Sequence, residues 1–132
     1  MEPRPLEVSL GRDGTVLITI QGDLRKEESL SMLKQDIVKG NTFIREESQR
    51  ALRPLSTLVD LTKLSNAYEP EGMLLLAEFE KNNRPYVHKT ACFTEDAKLR
   101  LAGEIISALS NRKNIFFFKT REEALASLRA PE

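Results

Sequence analysis

The sequence predicts an α/β fold: a mixed, mostly parallel five-stranded sheet with helices on both faces and an N-terminal antiparallel hairpin. Three observations carry this. Two short alternating segments joined by a glycine turn open the chain, the runs Leu58–Leu61 and Ile115–Phe118 are apolar with little or no alternation, and helical periodicity fills most of the rest. Alternation marks a strand with one wet face, whereas a short continuous apolar run marks a strand covered on both.

In the first strand Leu6, Val8 and Leu10 alternate with Glu7 and Ser9. Gly11-Arg12-Asp13-Gly14 is turn chemistry, and Val16, Ile18 and Ile20 then share one face of a second strand. Asp23 is placed to cap a helix with Glu27 and Glu28 in its first turns. Leu30, Leu33 and Ile37 provide that helix with an apolar stripe, and Gly40-Asn41 is expected to end it. A second, charge-rich helix is expected over 43–53, limited by Pro54.

The run Leu58–Leu61 reads as a central strand, broken at its carboxyl end by Asp60 and a polar loop to Gly72. Pro70 suits the first turn of the next helix, which Met73, Leu74, Leu76, Ala77 and Phe79 make apolar over a wide arc. After a strand from Tyr86 to Phe93, Thr94 is placed to cap a long helix in which Ala97, Leu101, Ile105 and Leu109 form an i, i+4 ladder. Ile115–Phe118 is expected to be a fully buried strand, and Thr120–Glu123 is a capping box before the closing helix.

The 132 residues fit one domain spanning 1–132, with 40% apolar and 30% charged residues, the balance of a soluble globular protein. Lys+Arg and Asp+Glu number 20 each, a zero net charge that argues against a nucleic-acid partner. Arg112, Lys113, Lys119 and Arg121 bracket one strand and read as a solvated rim. No run approaches the roughly 18 apolar residues of a membrane span. The first residues lack the apolar core of a secretory signal, and a single cysteine provides no disulfide framework. A cytoplasmic, reduced protein is expected.

No arrangement of residues announces catalysis. His88 and Cys92 share a strand face but stand about 13 Å apart at strand rise, beyond the hydrogen-bond reach a nucleophile and its base require. Asp60 reads as a polar anchor or as a cap for its own loop. Glu69 and Glu71 are paired carboxylates or simply acids drawn to a helix start. Thr94 and Thr120 open helices after strands, where free amides could hold an anion, but neither carries a glycine-rich loop. No metal or cofactor is expected.

In the order of its elements, and in four short stretches, the chain resembles the STAS superfamily, closest to its SpoIIAA-like branch of small bacterial proteins. Those stretches are Thr15–Leu24, with its I-x-I-x-G-x-L strand end, Leu58–Thr62, Lys89–Ala91 and Arg112–Leu128. The architecture is also similar to that of CRAL-TRIO-type lipid carriers. The resemblance implies a non-catalytic regulatory protein-interaction module, with a regulator or kinase as partner. In that family a serine at the start of the helix after the central strand is phosphorylated. Here Asp60-Leu61-Thr62 is followed by Tyr68-Glu69-Pro70-Glu71-Gly72, with Glu69 and Pro70 where the serines would stand. The usual phosphoserine switch is therefore expected to be missing. The candidate partner- or ligand-binding residues are Asp60, Thr62, Ser65, Tyr68, Glu69, Lys89 and Thr94. The alternative is a small apolar-ligand or lipid-binding protein, for which the apolar Met73–Phe79 helix speaks. A homodimer through the hairpin edge or a helix face fits either reading.

Overall fold

The two alternating segments pair as expected. In the computed structural model, which describes residues 4–66 and 69–130, β1 (Leu6–Leu10) runs antiparallel to β2 (Val16–Ile20), with Val8 opposite Ile18. Gly14 at the turn has φ +87°, a conformation that favours glycine. β2 then pairs in parallel with β4 (Leu55–Asp60), β4 with β6 (Val87–Phe93), and β6 with β7 (Ile115–Phe118). The five-stranded sheet has the order β1-β2-β4-β6-β7. A second, two-stranded parallel sheet joins β3 (Gly22–Asp23) to β5 (Leu64–Asn66) at the carboxyl end of the main one.

Helices cover both faces unequally. On one face α1 (Glu27–Ala51), α2 (Pro70–Asn83) and α3 (Ala97–Ser110) lie over a core that includes Val16, Ile18, Val59, Phe79 and Ile106. On the other, α4 (Arg121–Arg129) alone packs Ala124, Leu125 and Leu128 against Leu58, Ala91, Phe93 and Phe118. β4 is buried from both sides because it sits mid-sheet, and there the hydroxyls of Thr57 and Thr90 bond to each other at 2.6 Å.

Tertiary packing corrects the expectations that follow. Gly40-Asn41 does not end a helix: α1 runs unbroken for 25 residues from an N-cap at Lys26, not at Asp23. A Cβ on Gly40 would lie 3.0 Å from Phe79, 3.2 Å from Val8 and 3.3 Å from Leu6, so the glycine lets α1 cross close over β1 and α2. The Asn41 amide donates to Phe79 O at 3.0 Å and Asn83 Oδ1 at 2.7 Å, tying α1 to the last turns of α2. α3 is capped by Asp96, which accepts from the amides of Lys98 and Leu99, not by Thr94. Its buried stripe is Leu99, Ala102 and Ile106, while the Leu101–Ile105–Leu109 ladder faces solvent. β7 is parallel but at the sheet edge, with Phe116 exposed, because among the described residues only α4 follows it. The capping box before α4 stands as read: the Thr120 hydroxyl accepts from the Glu123 amide at 3.2 Å and donates to its carboxylate at 3.1 Å.

Candidate functional site

Asp60 ends the central strand at the carboxyl edge of the sheet, the usual meeting place for ligands in open α/β folds. Its Oδ1 accepts from the Thr62 amide at 2.8 Å and the Thr62 hydroxyl at 2.6 Å, so it closes its own turn. The chain then bends so that Gly22 donates to Lys63 O at 3.1 Å and the Ser65 hydroxyl donates to Gly22 O at 3.0 Å. This lashes the loop after β4 to the loop after β2. Beside it Asp23 is held at about 2 by hydrogen bonds from the Arg25 side chain and amide.

Glu69 takes the N-cap position of α2 in extended conformation, and Pro70 follows it as the first helical residue. Gly72, one turn in, passes Leu24 so closely that a Cβ would sit 3.3 Å from the leucine Cβ. Glu71 is exposed and pairs with Lys34 of α1 at 3.3 Å. Asp60, Thr62, Ser65 and Glu69 thus share one rim, the loop joining β4 to α2. Tyr68 lies outside the described residues. Thr94 is at the same end but buried: its amide donates to Phe118 O, its hydroxyl accepts from the Asp96 amide, and its carbonyl takes Arg100 at 2.7 Å. Lys89 is not brought to the rim. It stands in register with Ser56 near the start of β4, donates to Ser127 O at 2.5 Å near the end of α4, and lies 5.6 Å over the Phe116 ring.

Beneath the rim, between the sheet and α2 and α3, is a cavity of about 50 Å³. Val59, Leu61, Leu76, Cys92 and Phe117 are among the residues of its apolar wall, and Glu80 is its charged member. Glu80 is bound at 2.6 Å by Arg112, whose side chain is only 1% exposed and also donates to Asn114 Oδ1. Arg112 therefore leaves the solvated rim in which its sequence neighbours placed it, while Lys113, Lys119 and Arg121 remain exposed. Burial pushes the Glu80 carboxyl up, and Arg112 opposes that shift. Burial likewise raises the Cys92 thiol well above its ordinary value, with the Glu80 charge adding to it. A thiol so held stays protonated at neutral pH and is a poor nucleophile.

Sequence reasoning missed this ion pair. Its partners are 32 residues apart, and Arg112 stands among charges that read as a solvated rim. No helix among the described residues is long and apolar enough to cross a membrane. No protein-family model matches the chain, and no curated protein is detectably similar to it.

Proposed function

We propose that this chain is a non-catalytic, STAS-like regulatory interaction module whose partner-facing surface is the rim formed by the loop between β4 and α2. The observation that carries the reading is the make-up of that rim. Asp60, Thr62 and Ser65 are held in fixed conformations by hydrogen bonds within the loops, while Thr62 and Ser65 stay exposed to solvent. Such preorganised polar groups at the end of a buried strand suit protein docking, because little conformational entropy is lost on contact. The N-cap of α2 holds a carboxylate, Glu69, followed by a proline. That position has no hydroxyl to phosphorylate, so docking here does not depend on phosphorylation at the start of α2, and the same reading takes the protein to be cytoplasmic. Cys92, buried and protonated, supports the assignment of no catalytic role.

The test is affinity capture from a bacterial lysate with quantitative mass spectrometry, comparing the wild-type chain with a Ser65→Arg, Glu69→Arg variant. A regulator or kinase enriched by the first and lost by the second is the expected result. Equal recovery by both, or none above a bare matrix, counts against the reading.

The cavity favours a second reading, a small apolar-ligand protein. At about 50 Å³ it is well below the roughly 300–1,000 Å³ of drug-sized sites, so the ligand would be a few heavy atoms, or a lipid chain that parts α2 from α3. Native mass spectrometry after incubation with short-chain fatty acids and with lipid extract tests it. An unshifted mass in every case ends this reading.

A further inference from the structure

We propose that the chain forms a two-fold symmetric dimer through the outer face of α2 and α3, with the helices of the two copies antiparallel. Along α3, Ala97, Leu101, Ile105 and Leu109 make one uninterrupted apolar i, i+4 ridge, the kind that interdigitates with its like in helix packing. The ridge points away from the sheet: Leu101 and Leu109 are each 52% exposed and Ile105 40%, whereas Leu99, Ala102 and Ile106 are buried beneath. Leu74, on the neighbouring helix α2, is 60% exposed. Together these side chains present on the order of 300–400 Å² of apolar surface, within the range of the largest patch on a monomer, which is often a functional one.

The charges at the two ends of the helix pair select the occupant. α2 and α3 each connect parallel strands, so they run in the same direction and their ends coincide. At the amino-terminal end stand Glu69, Glu71, Glu95 and Asp96, of which Glu71 also pairs with Lys34 of α1 and Asp96 caps α3; at the carboxyl-terminal end stand Lys81, Arg84 and Lys113, and the exposed Glu78 and Glu104 lie midway along the helices. Lys98 and Arg100, cations near the acidic end, are engaged within the chain, Arg100 on Thr94 O. A second copy turned about an axis across the helices sets each acidic end on the other's basic end, with the two ridges between them. A copy turned about an axis along the helices would set like charge on like. Of the two arrangements, the first brings the ends together with opposite charge and the second with like charge. A zero net charge adds no repulsion between copies. The apolar centre falls short of the roughly 800 Å² per partner of a standard interface, and the charged ends supply the remainder as its rim. The inference shares only Glu69 with the docking rim and rests on the α3 ridge, which the rim does not include.

Sedimentation velocity on the full chain over roughly 1 μM to 1 mM tests it. The expected species has twice the 15.0 kDa mass of the chain. Ile105→Glu enters twice per dimer and is expected to weaken association by about a hundredfold or more, with the far-UV spectrum unchanged because the side chain is exposed. Lys81→Glu with Arg84→Glu should weaken it by about tenfold, and adding Glu71→Lys with Glu95→Lys should restore it. A monomer throughout the range overturns the proposal. So does a dimer indifferent to Ile105→Glu, or a charge reversal that the compensating reversal fails to rescue.

Discussion

Arg112 and Glu80 illustrate how much one buried pair decides. The guanidinium is satisfied by Glu80 and Asn114, and the carboxyl it holds has been lifted above its ordinary 4.5 by burial. A carboxyl whose folded value exceeds its unfolded one binds more protons when folded, so its contribution to stability falls as pH rises through that interval. Removing the cation widens the interval. Arg112→Leu is therefore expected to cost about 3–5 kcal/mol at neutral pH, with the deficit shrinking as pH falls towards 4.5. Urea unfolding of both proteins across that range checks it; a deficit independent of pH would assign the loss to packing. Leu52 is a simpler case. It ends α1 at φ 59° and is 90% exposed, so its side chain strains the backbone and contributes little packing. Leu52→Gly is expected to raise stability by about 0.5–1 kcal/mol, seen as a higher denaturation midpoint at constant slope. Neither position stands out in the sequence, where Arg112 is one charge among several and Leu52 one more helical leucine.

At the scale of elements, most boundaries could be read directly, because strands and caps are set by close neighbours. The hairpin, the Pro70 helix start and the Thr120–Glu123 box are local in this sense. The misreadings occur where a residue's role depends on a distant element. Gly40-Asn41 has the chemistry of a helix end, but Phe79, Val8 and Asn83 turn it into a crossing point. α3 carries two apolar stripes of helical spacing, and only the sheet beneath selects Leu99, Ala102 and Ile106 as the buried one. Gly103 marks the same closeness between α3 and β7. A Cβ there would lie 2.4 Å from Cε1 and 2.9 Å from Cζ of Phe117. Gly103→Ala is expected to cost about 1–3 kcal/mol by forcing the ring aside. Combined with Phe117→Leu it should cost less than the two changes summed, since the smaller side chain removes the clash. Strict additivity in a denaturant-melt cycle would refute the contact.

Across the whole molecule the two faces of the sheet are unequally protected. Three helices cover one side, and the nine residues of α4 cover the other through Ala124, Leu125 and Leu128. Ala124 is fully buried against that second face. Ala124→Asp, which sets an unpaired charge there, is expected to undock α4 and cost more than about 3 kcal/mol. A rise in dye binding to exposed apolar surface, with most helical signal retained, checks it. The candidate site divides along similar lines. The rim of Asp60, Thr62, Ser65 and Glu69 was legible because it follows a buried strand and precedes a proline-started helix. Thr94 stays at that end but is buried beside Arg100 and β7, and Lys89 goes to the end of α4, because their neighbours come from other parts of the chain. By itself the sequence determined the order of the five strands of the main sheet, its mixed character and the loop where its central strand breaks, but not the short β3–β5 pair, since periodicity and capping act between residues a few positions apart. Only the tertiary structure decided that α1 is continuous, that Arg112 is buried on Glu80, and that the Leu101–Leu109 ridge faces outward, since each depends on surfaces that meet only after the chain has folded.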